Sequence, residues 1–302
     1  MVRYLVFFLA GIGFYTVSSQ IRLAHHEFEA ENISKIKIYA SFCDVKITHD
    51  QKIKFLGVIE GGGNPYDFNI YSELSKSGVL EIYVKHRGIK KVSLSKAQLD
   101  LSIPKKTSLS IESSSGDISG RDLLNGKYEF NTYSGDVHVS GIIGSLKVET
   151  TAGDIYVEDL KGDGVFATTS GDKKVVNMQG NIKSSTISGL STFYNIMGDL
   201  KATATSGHIN IKDITGSINV NTTSGNVNGQ RIFLRGDSYF NLLTGNVSLG
   251  LNNPFEDFSF RLHSGGGKLH LGSQTFEGEH ESGDGPIHIY STTSSGNQDL
   301  KF

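Results

Sequence analysis

The chain has 302 residues, with 29 Lys plus Arg against 31 Asp plus Glu and a formal charge of −2. That balance excludes the basic excess of a nucleic-acid binder and the acidic block of a solvating tail. Glycine is abundant at 36 residues and proline scarce at 4, which excludes collagen-like and Pro-rich disordered chains and points to tight turns between short strands. The single cysteine excludes an intrachain disulfide framework and a Cys-based zinc site.

The N-terminus reads as an export signal over residues 1–19. Arg3 supplies positive charge, Leu5 to Val17 is an apolar run of 13, and Val17-Ser18-Ser19 offers small residues for cleavage before Gln20. A spanning helix needs about 20 apolar residues, so cleavage is expected rather than retention as an anchor. No cysteine stands at the cleavage region, so a lipoprotein anchor is not expected, and there is no second apolar stretch. The expected location is outside the cytoplasm (periplasm, cell surface or secreted), with no membrane span in the mature chain. Phe42 and Val45 around Cys43 predict that this thiol is buried.

Residues 20–110 carry strand-like runs without a glycine beat. They start at Lys35 (KIKIYA), Asp44 (DVKIT), Lys52 (KIKFLGVIE), Val79 (VLEIYVKH) and Leu99 (LDLSIP). Gly61-Gly62-Gly63-Asn64-Pro65 reads as a loop, and Gly88-Ile89-Lys90-Lys91 as a basic turn. Terminal repeats are atypical because they close an exposed end, so this segment reads as a β-rich cap continuous with the remainder of the chain.

The rest, 111–302, is a repeat array. From Gly126 to Gly225 glycine recurs every nine residues, at twelve successive positions. Two nonapeptide types alternate, so the structural period is 18: Gly144-SLKVETTA is one type, Gly153-DIYVEDLK the other. The second and fourth residues after each glycine are apolar between polar neighbours, which is the pattern of a strand with one buried face. Gly116, Gly135, Gly153, Gly171, Gly189, Gly207 and Gly225 are read as turn residues, aided by Asp or Asn at the next position. Stacked coils place each strand about 4.8 Å from its equivalent. One predicted inward column is Val137, Ile155, Lys173, Ser191, Ile209, Val227; another is Leu146, Gly164, Ile182, Leu200, Ile218. The coils are regular over 116–233. They are looser over 234–302, where the beat is read at Thr244-Gly245-Asn246, Ser264-Gly265-Gly266 and Ser282-Gly283-Asp284. The predicted fold is all-β, a single elongated parallel β-solenoid with coils of ~18 residues and an N-terminal β cap.

The run from Leu99 to Ile118 joins a strand ending in Pro104 to the first Ser-Gly-Asp-Ile. With the repeated Thr-Ser-Gly-Asp-Ile/Val beat it resembles the DUF4097 family, a bacterial β-strand-repeat family associated with adhesins. It is also similar to head-GIN-type auto-transporter adhesins. The resemblance spans about 28 to 290 and implies an adhesin-like surface protein without catalytic residues. The chain departs from the pattern at Leu190 and Gly266, where Asp would follow glycine.

Residue chemistry offers little beyond this. Calcium-binding nonapeptide rolls need Gly-Gly-x-Gly-x-Asp, which does not occur, so Asp136, Asp154 and Asp172 read as turn residues. A glycan-cleaving β-helix needs a positioned acid and base; Glu158, Asp159 and Asp213 beside Lys161 and Lys212 resemble an ordinary solvated face. His263, His270, His280 and His288 with Glu277, Glu279 and Glu281 match no metal spacing. Recurrent threonines, among them Thr150, Thr168 and Thr222, read as a hydroxyl ladder for turn backbone rather than an ice-binding array. Lys173 and Ser191 interrupt one inward column and Ser184 thins another, which predicts a bulge turning them outward. With Tyr156 and Tyr194 as aromatic anchors, Lys173 and Ser191 form the candidate binding surface. The expected function is that of an exported, non-enzymatic cell-envelope protein, an adhesin or structural scaffold whose partner is a cell-surface glycan or protein. No cofactor and no nucleic-acid partner is expected, and the oligomeric state is left open. The alternatives are a carbohydrate-binding or carbohydrate-cleaving β-helix and a calcium-stabilised surface protein.

Overall fold

The computed structural model describes residues 21–88 and 93–302. The signal-peptide prediction for 1–19, and Ile89-Lys90-Lys91 of the basic turn, lie outside the described residues. Apart from single 3-10 turns at Pro65–Asp67 and Phe255–Asp257, every regular element described is a strand. The chain divides into two compact units, one up to Val139 and one from Ser140.

The first unit holds β1 (Ile21–Ala30), β2 (Lys35–Ser41), β3 (Asp44–His49), β4 (Ile53–Gly61), β5 (Phe68–Leu74), β6 (Val79–His86), β7 (Leu94–Ile103), β8 (Ser108–Ser113), β9 (Ile118–Arg121) and β10 (Leu124–Thr132). Strict alternation puts Ile36, Ile38 and Ala40 of β2 inside while Lys35, Lys37 and Tyr39 face out. Two sets of paired strands result. One runs β5–β6–β2–β8–β10, antiparallel at β5–β6 and parallel beyond. The other runs β1–β4–β7–β3–β9, antiparallel at β1–β4 and β4–β7 and parallel beyond. Parallel stacking throughout is therefore corrected. Where the glycine beat is missing, β5 and β6 join as a hairpin, which needs no crossover, and β4 lies antiparallel between β1 and β7. β1 and β5 are strands beyond those expected from the sequence. Cys43 is buried, and burial, aided by the neighbouring Asp44 charge, pushes its thiol up to about 12.

The second unit continues from β11 (Val137–Thr150), whose first three residues belong to the first unit. β12 (Ile155–Lys161), β13 (Gly164–Thr168), β14 (Lys173–Gln179), β15 (Ile182–Ser188), β16 (Ser191–Met197), β17 (Leu200–Ser206) and β18 (Ile209–Gly216) come next. Then come β19 (Ile218–Ser224), β20 (Val227–Leu234), β21 (Ser238–Thr244), β22 (Val247–Leu251), β23 (Phe258–Leu271), β24 (Gln274–Ser282), β25 (Ile287–Ser295) and β26 (Gln298–Lys301). Odd-numbered strands β11 to β21 pair in parallel with one another, and even-numbered β12 to β22 likewise. The registers place Ile155, Lys173, Ser191, Ile209 and Val227 in one inward column, and Leu146, Gly164, Ile182, Leu200 and Ile218 in another. Phe166, Phe193 and Phe240 are fully buried. Each such ring contributes roughly 1.5–3 kcal/mol on leaving water.

The glycine beat has a steric cause. A Cβ on Gly171 would lie 1.9 Å from the carbonyl oxygen of Gly153, and one on Gly162 would lie 2.2 Å from that of Gly144. Successive coils approach through their backbones at these corners, which leaves no room for a side chain. Gly116, Gly135, Gly207 and Gly225 meet the preceding coil in the same way, and Gly189 adds a left-handed φ of 120°. The aspartates after glycine are also not local turn devices. Asp154 Oδ1 accepts from the Asp172 amide at 2.8 Å, and Asp172 Oδ1 from the Leu190 amide at 2.8 Å, one coil onward. Non-glycine residues with left-handed φ recur at Asp159, Asn177, Asn195, Asp213 and Arg231, one per coil, where they kink the even strands. Such residues are mostly Asn or Asp because those side chains tolerate this conformation.

The stack does not follow chain order at the C-terminal end. β25 pairs with β21 on one side and β23 on the other, and β26 with β22 and β23. β24 returns antiparallel along β23. The glycine beat therefore passes from Gly245 to Gly296, whose Cβ would lie 2.0 Å from the Gly245 carbonyl oxygen, and then to Gly267. The beats expected at Ser264-Gly265-Gly266 and Ser282-Gly283-Asp284 are corrected. A regular beat implies sequential stacking, whereas the last coil is intercalated beneath the β23–β24 hairpin.

Candidate functional site

Strand alternation fixes which side chains face outward, and tyrosines beside cations recur among them. On the even-strand face, Tyr156 of β12 and Lys174 of β14 are register partners, with the Lys174 amine 5.5 Å from the ring centroid. Two coils on, Tyr194 of β16 and Lys212 of β18 repeat the arrangement at 5.5 Å. Each pair is a cation–π contact on an exposed sheet, worth about 0.5–1 kcal/mol. The Tyr156 hydroxyl donates to Glu158 at 3.3 Å; partial burial, then the Glu158 charge, raises its pKa. Beside these rows an amide ladder runs along the kinks: Asn177 donates to Asp159 at 3.0 Å and Asn195 to Asn177 at 2.8 Å. Arg231 and Asp213 continue it as a bidentate ion pair, which lowers the Asp213 pKa.

On the odd-strand face, Asn219, Tyr239, Tyr290, Arg261 and Glu281 are successive register partners across β19, β21, β25, β23 and β24. The Tyr239 and Tyr290 rings stack at 4.9 Å, and Arg261 lies over Tyr290 at 5.9 Å while pairing with Glu281 at 2.7 Å. The first unit has its own row. Tyr39, Tyr83 and Tyr71 are neighbours across β2, β6 and β5, stacked at 4.8 and 5.1 Å, with Lys85 over Tyr71 at 4.9 Å. Rings stacked this way cover each other's faces and present edges and hydroxyls outward. Residues 33–212 and 196–301 match the family model described as Toastrack DUF4097.

The chain belongs to the Toastrack DUF4097 family.

Among solved structures, a "putative adhesin" from Bacteroides fragilis is similar over 96% of this chain and 100% of that one, at 14% identity and a TM-score of 0.45. A "putative cell adhesion protein" from Clostridium sporogenes aligns over 92% of this chain and 99% of its own length, at 9% identity and a TM-score of 0.21. No curated protein matches the chain.

In this Toastrack DUF4097 member, the predicted binding surface splits. Tyr194 is exposed and Tyr156 half-exposed on one face. Lys173 and Ser191 are corrected: they are buried, 1% and 2% exposed. No bulge forms there, because β12, β14 and β16 keep continuous register at those residues. The Lys173 amine donates instead to the Ser185 carbonyl of the opposite sheet, and burial pushes its pKa down to about 7.

The carboxylates considered for catalysis are engaged elsewhere, and Asp213 lies three strand spacings from Asp159, roughly 14 Å. The late histidines disperse. His263 faces Glu279 at 3.2 Å, His288 faces Asp237 at 3.1 Å, His270 meets Thr275 at 3.0 Å, and His280 stacks on Phe276. Among the described residues no group of three or more His, Cys, Asp or Glu is gathered to hold a metal. Nor is any described helix long and apolar enough to cross a membrane. Thr132, Thr150 and Thr168 turn inward, where each hydroxyl accepts from the glycine amide three residues on.

Tyr39, Tyr71, Tyr83, Tyr239 and Tyr290 join the outward rows without having been expected there, and Tyr239, which follows Ser238, carries no dipeptide signal. The signal for the others is present in the sequence: the dipeptide Ile-Tyr recurs at 38–39, 70–71, 82–83, 155–156 and 289–290. Each time the isoleucine faces the core side of its strand, and the tyrosine takes the opposite face.

Proposed function

We propose that the chain is an exported surface protein of adhesin type, acting without catalysis and binding cell-surface glycan or protein through its outward tyrosine–cation rows. The repeated Tyr156–Lys174 and Tyr194–Lys212 pairs carry this reading. A tyrosine roofed by a lysine at fixed register on a parallel sheet is preorganised, so little side-chain entropy is lost on contact. Tyrosine also gives amphipathic contact area at low conformational cost. The N-terminal signal-like segment supports export, and Glu158, Asp159 and Asp213 are each engaged by a neighbouring side chain. The test is whole-cell and glycan-array binding by the purified chain, wild type against the double variant Tyr156→Ala, Tyr194→Ala. Saturable binding that weakens at least about tenfold in the variant supports the reading. Binding to no surface rejects it in favour of a purely structural envelope role.

A further inference from the structure

We infer that the first unit carries an acidic-glycan site at the end of the β5–β6 hairpin, with Tyr66 as the stacking platform and Lys85 and Arg87 as the anion contacts. The inference rests on the surface-binding reading and adds a second location and a ligand class. Tyr66 is 91% exposed, the most exposed large hydrophobic side chain among the described residues. Its position is built rather than loose. Pro65 opens the 3-10 turn, the Asn64 side chain accepts from the Tyr66 amide at 3.2 Å, and the Asp67 amide donates back to the Asn64 carbonyl at 3.0 Å. The Arg87 amide donates to the Asp67 carbonyl at 2.8 Å, which staples the turn to the end of β6. The turn fixes the backbone beneath a ring that no other described ring covers, unlike the mutually stacked rings of Tyr39, Tyr83 and Tyr71.

Beside Tyr66 lies a depression of about 440 Å³, into which Tyr71, Lys85 and Arg87 also project. That volume is in the range of small-ligand sites. Asp67 is the one carboxylate lining it, against the two cations Lys85 and Arg87. Two such cations around an open aromatic face match a sugar whose C–H face stacks while a carboxylate or sulfate meets the charges. A nucleic-acid strand needs a row of phosphate contacts, which two cations at one depression do not supply.

The experiment measures binding of the purified chain to polygalacturonate and to heparin, which separate carboxylate from sulfate recognition, with dextran and single-stranded DNA alongside. Expected are saturable binding to one of the two acidic glycans, none to dextran, and weakening from about 50 to about 300 mM salt. Tyr66→Ala and the double variant Lys85→Gln, Arg87→Gln each weaken binding about tenfold or more. The charge-removing control Lys183→Gln, Lys201→Gln, at exposed register partners of β15 and β17, leaves it unchanged. Equal binding to dextran, DNA bound as tightly as glycan, or full affinity in Tyr66→Ala overturns the inference. Cell binding that persists while both acidic glycans fail overturns it too, and leaves the surface-binding reading intact.

Discussion

Lys173 shows what one side chain does in this array. It occupies the column of Ile155 and Ile209, with the short Ser191 beside it on the next strand. The folded protein favours its neutral amine, while the unfolded chain titrates near 10.5. The unfolded state therefore binds more protons between about pH 7 and 10.5, and stability rises with pH across that window. Below about 7 the full cost of a buried ammonium is present. Lys173→Met keeps the length and removes the amine. It is expected to raise unfolding stability at pH 7 by about 1–3 kcal/mol and to flatten the rise toward pH 10 relative to wild type. Urea midpoints at the two pH values check this, and parallel pH profiles for the two proteins would contradict it. Broken periodicity marks the position as irregular, yet the expected direction, outward, is the wrong one. An isolated lysine in an apolar column carries no local sign of whether the opposite sheet offers it an acceptor.

The working element is the corner where one coil lies on the next. Its glycines permit close backbone approach, and the adjacent Asp or Asn passes a side-chain acceptor to the next coil's amide. The ladder breaks at Leu190, which receives from Asp172 but has no oxygen to offer residue 208. It resumes at His208, whose Nδ1 accepts from the Asn226 amide at 3.1 Å, and continues from Asn226 to the Asn246 amide at 2.9 Å. Leu190→Asp should therefore restore a rung. Leu190 is partly exposed at 36%, so little burial is lost. A stabilisation of about 0.5–1 kcal/mol is expected from chemical denaturation; a destabilised variant would show that the rung has no free amide to meet. At this scale strands and faces are readable from the chain, because alternation and the 18-residue period are local properties. The ladder is not, because a side chain bonding 18 residues away leaves the same Gly-Asp sequence as one bonding within its own turn. The outward tyrosines are implied by alternation alone, although only Tyr156 and Tyr194 stand out within the regular repeats.

At the scale of the whole molecule, chain order and stacking order part company in both units. In the first, β2–β3 lie between β6–β7 and β8–β9. In the second, the final strands lie between β21–β22 and the β23–β24 hairpin. The buried Gln298 amide donates to the His263 carbonyl at 2.6 Å and fastens β26 beneath β23. Ending the chain at Pro286 would remove the shared neighbour of β21, β22 and β23, together with buried Ile289 and Leu300. The expected loss is at least about 3 kcal/mol, read as a lower urea midpoint. An unchanged midpoint would restore sequential stacking. Strand content, the period, the inward columns and the family are legible in the chain alone, since all of these are written in spacings of two, nine and eighteen residues. Three-dimensional packing was needed to establish which coil lies on which, which strands run antiparallel, that Lys173 faces the core, and that Tyr66 stands beside Lys85 and Arg87. Pairing partners and burial are set by segments distant in the chain, and no local pattern records which of several equivalent edges a strand will choose.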